Sequence, residues 1–419
     1  MQVVVAAPEI AASVNLPSTS ETLMRPVCGV PLLIRTLATA ERAGADEILF
    51  LWPEGLPEWL AAKCIASPLL RQKANIRLIF VKGLDPGIAS SWEDIQVHLD
   101  SRFVWLPWNW VTQKQYLSCL RVTSVQSVDW RRPACIERHQ TGCNESSAPI
   151  SDCTAEGIAV TSPESAAAAE RFLVARSGKV LDGIHTSFNR RLCRPLVRWL
   201  SHTRITPNEV TFGGVLVSVL SAIAFAGGSY WSYVVGAAVF FIAGLFDEMD
   251  GMLARIKFAD SPFGTWLEGF ADGLSYLLLF GGITLGLHRQ YGSWPLKVGV
   301  ALLAGTLLSL IVTSLGRKRA TTPDRPSEYL GRFYRLLEKD SSNWISRVVR
   351  QLQAFEKRGV IIHYVFLFTV LGGLPVLFCL ATLGSHLTWI LSLYFNHRFF
   401  RQPAQSAGTA GANTIREAL

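Results

Sequence analysis

The chain has no charged residue between Val210 and Phe246, and none again between 359 and 397. Runs of that length exclude a wholly water-soluble fold. Each is too long for one bilayer crossing of about 20 residues and about right for two short ones. The eight cysteines, Cys28, Cys64, Cys119, Cys135, Cys143, Cys153, Cys193 and Cys379, form no CxxC pair or other metal spacing. That argues against a zinc module and reads as reduced thiols facing the cytosol. No basic segment is interleaved with aromatics, so nucleic acid is not expected as a partner. The opening MQVVVAAPEI has no basic region ahead of its apolar stretch and is not read as a signal peptide.

What is present divides in two. Residues 1–178 carry 16 Lys and Arg against 18 Asp and Glu, and residues 179–419 carry 24 against 14. The first part reads as an ordinary soluble domain and the second as a basic domain facing anionic lipid and phosphate groups. Met1–Ala7, Glu47–Trp52, Ile76–Val81 and Phe103–Leu106 have the composition of buried strands. LLIRTLATAERAG, closed by Gly44, and the stretch around Pro57–Ser67 are helical. Alternation of this kind predicts a parallel α/β layer. From Val122 to about Val160 periodicity is lost and irregular loops are expected. Residues 162–178 form a helix with Ser162 as N-cap and Gly178 as stop.

Ile184–Leu200 is amphipathic. Ile184, Phe188, Leu192, Leu196 and Trp199 lie on one side and four arginines on the other, as in a helix lying on a membrane surface. Pro195 is expected to kink it. Spans are expected on either side of a turn at 227–229, over Pro262–Leu287, over Val298–Gly316, and on either side of a turn at 372–375. Six spans result. The stretch 317–358 holds eleven Lys and Arg against five acids, which places it, both termini and the acids described next in the cytosol. Arg317 and Arg319 read either as a positive-inside anchor or as a clamp for a phosphate. His363 and His386 read as interhelical hydrogen-bond partners, and the tail after Arg401 as disordered.

One stretch, FDEMDGMLARIKFADSPFGTWLEGFAD from Phe246, breaks the apolar pattern with acids. Asp247, Asp250, Gly251 and Ala254 share a helix face, and Gly264, Glu268 and Asp272 repeat every four residues on the next helix. Ionisable groups beside a bilayer are costly and mark a site with a partner. All-oxygen donors suit magnesium or manganese, and two such ions would clamp the oxygens of an in-line phosphoryl displacement. Gly251 and Gly264 clear side chains from the same faces, and Arg255 offers a planar fork for phosphate.

The spacing Asp247-x2-Asp250-Gly251-x2-Ala254-Arg255-x8-Gly264-x3-Glu268-x3-Asp272 resembles the signature of the CDP-alcohol phosphatidyltransferases. Seven of the eight fixed positions match. Glu268 stands where the usual pattern has Asp, one methylene shorter. The resemblance implies six transmembrane helices, a CDP-linked donor, an alcohol acceptor, CMP as leaving group and commonly a homodimer. It implies two Mg²⁺ (or Mn²⁺) ions on Asp247, Asp250, Glu268 and Asp272, with Asp272 also the general base. It places the donor across Gly251, Ala254 and Gly264, with Arg255 on its phosphate. Asn208, in a Pro-Asn pair before the first span, is a further donor contact.

VCGVPLLIRTLATAERAGADEILFL resembles the early βαβ unit of nucleotide pyrophosphorylases. Their phosphate loop needs glycine and a basic residue, whereas APEIAASVNLPSTSET has neither, and Asn109 replaces a metal-binding Asp. The expected architecture is thus an α/β N-terminal domain (1–178), nucleotidyltransferase-like with a Rossmann-type parallel sheet and catalytically silent. An all-α membrane domain (179–400) and a tail (401–419) follow. A working cytidylyltransferase supplying the donor, and an inactive membrane scaffold, are the alternatives. The fusion itself resembles inositol-phosphate cytidylyltransferase/phosphodiester synthase fusions.

Overall fold

A computed structural model describes residues 1–6, 16–120 (except 55, 72, 83, 85 and 87), 130–138, 156–178, 184–320, isolated positions between 333 and 349, and 358–399. Most of 324–356, the tail and the start of the loop after the first strand lie outside these residues.

The chain forms two compact units. In the first, the elements run β1 (Gln2–Ala6), α1 (Leu16–Met24), β2 (Pro26–Val27), β3 (Val30–Pro31), α2 (Leu32–Arg42), β4 (Glu47–Pro53), α3 (Glu58–Ile65) and β5 (Asn75–Val81). They continue as α4 (Glu93–Gln96), β6 (Arg102–Pro107), β7 (Trp110–Thr112), α5 (Lys114–Cys119), β8 (Ala134–Glu137), β9 (Gly157–Ala159) and α6 (Pro163–Arg176). The main sheet has the order β5-β4-β1-β6-β8. Its first four strands are parallel, and β8 is antiparallel to β6.

The valine-rich first strand explains its central place. Val3 and Val5 enter one apolar core with Leu33, Leu37, Phe50 and Trp52. Val4 and Ala6 enter another with Leu49, Leu51, Trp92, Trp105 and Trp130. A sheet buried on both faces needs apolar residues of both parities, which is what an unbroken VVVA run provides. The tryptophan cluster keeps its polar edges satisfied, with Trp105 Nε1 donating to Trp130 O at 2.7 Å and Trp92 Nε1 to Pro86 O at 3.0 Å. Helix α6 starts as expected, its Ser162 side chain accepting from the Ser165 amide.

The irregular stretch expected from Val122 to Val160 needs correction. It contains β8 and β9, the first paired with β6 and the second antiparallel to β7. Ala134 and Ile136 point into the tryptophan core, so neighbouring strands impose an order that local periodicity does not announce.

The second unit holds α7 (Ile184–Ser201) up to Cys193, α8 (Pro207–Ala226), α9 (Tyr230–Ile256) up to Gly251, α10 (Pro262–Tyr291), α11 (Trp294–Ala320), α12 (Arg358–Val370) and α13 (Leu374–Phe399). Arg194–Arg204, which takes in the remainder of α7, and Met252–Ala259 belong to the first unit. Among the described residues five helices, α8, α9, α10, α11 and α13, are long and apolar enough to cross a membrane, and α12 is a shorter apolar helix. The expected turn at 227–229 falls between helices, and that at 372–375 is shifted to 371–373, with Leu374 and Pro375 opening α13; Gly228 and Gly372 take positive φ.

Helix α7 runs through Pro195, and its apolar stripe Phe188, Leu192, Leu196 and Trp199 is exposed, as a membrane-surface helix requires. Helices α8 and α10 pack backbone to backbone. A Cβ on Gly282 would lie 2.8 Å from Ala222 Cα, the small-residue contact that membrane helices use where no hydrophobic effect drives association. His386 bonds Ala301 O at 3.1 Å across to α11.

Burial raises the thiols of Cys28 and Cys64 from 9.0 to about 11. Below pH 9 this cuts the thiolate fraction of each about 100-fold. Both should resist iodoacetamide at pH 8 in the native protein and react on denaturation, as read by mass spectrometry.

Candidate active site

The site assembles from three helix segments of the second unit. Helix α8 opens with a reciprocal cap, Thr206 N donating to Glu209 Oε2 at 2.7 Å and Glu209 N to Thr206 Oγ1 at 3.3 Å. Pro207 sits in the first turn, where its missing N–H is harmless. Asn208 follows. Helix α10 opens with Ser261 Oγ accepting from Gly264 N at 3.0 Å. A Cβ on Gly264 would stand 3.4 Å from Asn208 Oδ1, so the two helix starts come together around a glycine that leaves room between them.

Asp250, on α9, is the deepest acid, with 4% of its surface exposed. Its Oδ2 accepts from Thr211 Oγ1 of α8. Its Oδ1 is buried without a hydrogen-bond partner among the described residues. The charges of Asp247 and Glu268 both act on it, and Asp247 also acts on Tyr276. Acids of α9 and α10 therefore lie within electrostatic reach of one another. Asp247, Gly251, Glu268 and Asp272 are half-buried. Among the described residues no three His, Cys, Asp or Glu side chains are arranged to hold a metal ion.

Ala254 lies on α9 one turn beyond Asp250. Arg255 follows, and its Nε donates to Ser177 O at 2.6 Å within the first unit, so part of the fork read as a phosphate ligand is engaged by backbone. Arg317 and Arg319 belong to the last turn of α11, their side chains outside the described residues.

Three partners were not read from the sequence. Thr211 lies three residues past Asn208, and Tyr276 extends the four-residue stripe of α10 past Asp272, so both were accessible to the same periodicity. Glu248, off the stripe, pairs with Arg190 of α7 at 2.9 Å, both side chains nearly buried. No spacing signals that pair, because its members are 58 residues apart.

The donors are all hard oxygens, and an orphaned buried carboxylate oxygen stands among them. That composition fits Mg²⁺ or Mn²⁺.

Carboxylates of α9 and α10 thus lie beside the paired starts of α8 and α10. The profile of the CDP-alcohol phosphatidyltransferase family matches residues 204–333. Similarity to individual proteins agrees. The chain is 25% identical over 237 residues to the bifunctional IPC transferase and DIPP synthase of Aquifex aeolicus, covering 56% of this chain and 49% of that protein. It is 30% identical over 129 residues to a phosphatidylinositol phosphate synthase of Mycobacterium marinum, covering 30% and 50%. It is 33% identical over 103 residues to the archaetidylinositol phosphate synthase of Methanothermobacter thermautotrophicus, covering 24% and 49%. The chain thus spans about half the length of each of these relatives.

Removing one member of a nearly buried ion pair strands the other charge, at a cost of about 3 kcal/mol. Glu248→Gln should lower the melting temperature in detergent, and the apolar double replacement Arg190→Met with Glu248→Leu should recover most of it.

Proposed function

We propose that the protein transfers a phospho-alcohol group from a CDP-linked donor to an alcohol acceptor and releases CMP. The observation that carries this reading is Asp250. A carboxylate buried between spans, with two further acids acting on it, is expensive without a cationic partner, and it sits in a segment matching this family.

Asp247, Asp250, Glu268 and Asp272 would hold two divalent cations. Bound there, the ions would neutralise the donor's diphosphate oxygens. The donor lies over Gly251, Ala254 and Gly264, with Asn208 and Arg255 as further contacts. Asp272 takes the proton from the acceptor hydroxyl. The freed oxygen bonds to the β-phosphorus, the bond to the bridging oxygen breaks, and CMP departs with that electron pair. Two of the relatives are named as inositol phosphate lipid synthases, which supports a polyol phosphate as acceptor, with Arg317 and Arg319 on its phosphate. The shorter apolar helix α12 serves as the sixth span. The acids and the α/β unit face the cytosol, where CDP-linked donors are found, and the protein acts as a homodimer.

The second reading is that the α/β unit also makes the donor from CTP. The bifunctional relative supports it, while the missing glycine and basic residues after β1, and neutral Asn109, count against it. We take the unit as nucleotidyltransferase-like and silent. Purified full-length protein given CTP and inositol phosphate should release no pyrophosphate, and release would reverse this choice.

Asp272→Asn should reduce CMP release about 10³-fold with the fold unchanged, since a positioned base contributes about 10²–10⁴. Turnover equal to wild type would remove Asp272 from the base role. Glu268→Asp should keep turnover and shift the Mn²⁺ concentration giving half-maximal rate. Glu268→Gln should abolish that dependence.

A further inference from the structure

Helix α9 carries two of the four acids, and it ends in an unusual way. Lys257 N donates to Leu253 O at 2.9 Å, and Ala259 N reaches back to Ala254 O at 2.9 Å. That six-to-one bond is a Schellman cap, whose left-handed position belongs by preference to glycine. Here the position is Phe258, with φ of 57°. A bulky aromatic holds such a backbone only when its surroundings compel it.

The surroundings are residues of the α/β unit, to which Met252–Ala259 belongs. The Phe258 ring packs on that unit's apolar core. The guanidinium carbons of Arg35 and Arg42, both on α2, stand 5.0 Å and 4.6 Å from the ring centre. Arg42 also donates to Phe258 O at 2.7 Å. Arg35, 2% exposed, donates to Ile256 O at 3.0 Å and to Val27 O at 2.8 Å. It thus caps the last carbonyl of α9 with a cation where the helix dipole favours one. Lys257 Nζ adds a bond to Thr203 O at 2.7 Å.

We propose that Arg35 and Arg42 are positioning residues for the transfer reaction. By gripping Phe258 they decide where α9 stops and how the chain turns toward α10. They thereby set the register of Asp247 and Asp250 against Glu268 and Asp272. The α/β unit then acts on catalysis as a clamp on the turn between the acid-bearing helices, without chemistry of its own. This inference rests on the transferase reading.

The test is the double variant Arg35→Met with Arg42→Met in the full-length protein. Its half-saturating Mn²⁺, measured by electron paramagnetic resonance, should rise about tenfold, and kcat for CMP release should fall about tenfold. Adding Phe258→Gly should restore both toward wild type, because glycine takes the left-handed cap unaided. Wild-type Mn²⁺ affinity in the double variant, or no rescue by Phe258→Gly, would overturn the proposal. Should the double variant fail to fold, Arg42→Met alone decides it by hydrogen exchange. The Ala259 amide should exchange about tenfold faster, and unchanged protection would refute the clamp. If wild type itself neither bound Mn²⁺ nor released CMP, the transferase reading would fall, whereas the amide measurement would still report on the clamp.

Discussion

A carboxylate removed from water between apolar helices governs the architecture of the membrane unit. Asp250 is nearly inaccessible, and desolvating a charge is costly unless hydrogen bonds and countercharge compensate. One oxygen has the Thr211 hydroxyl. The other has no hydrogen-bond partner among the described residues, and neighbouring carboxylates add repulsion. Such a group persists only if the surrounding helices hold it in place. The glycine contact of α8 with α10 and the Arg190–Glu248 pair provide that support. Under the proposed transferase reading, that instability draws cations and polyphosphate to the site.

The α/β unit raises a different question, because its sheet is well packed while the loop after β1 lacks the residues that phosphate chemistry needs. A domain can be retained for what it holds. Two arginines of α2 hold the end of α9, and Glu170 of α6 gathers Cys28 N, Arg198 and His202 at 2.9–3.1 Å. Both groups of contacts tie helix ends into the α/β core.

Much of this was legible in the residues. The parallel strands followed from apolar runs bounded by turns, and the spans from absence of charge. The acids' helical faces followed from intervals of three and four, which survive folding because the helix is a local structure. Strands β8 and β9 were missed because they are short and owe their order to β6 and β7. Thr211 and Tyr276 were missed although the stripes run through them. Arg190, Glu248, Arg35 and Phe258 carry no local signal, since each depends on a partner remote in sequence.

Alone, the sequence determined the parallel α/β layer of the first part, apolar helices long enough to cross a membrane in the second, and which oxygen donors share a helix face. Hydropathy and helical periodicity operate over a few residues and can be read directly. The tertiary structure decided which acid is buried deepest, which hydroxyl serves it, and that a phenylalanine closes α9 in a glycine conformation under two arginines. Those outcomes come from packing between distant segments, where the energy of a group depends on its neighbours and not on its place in the chain.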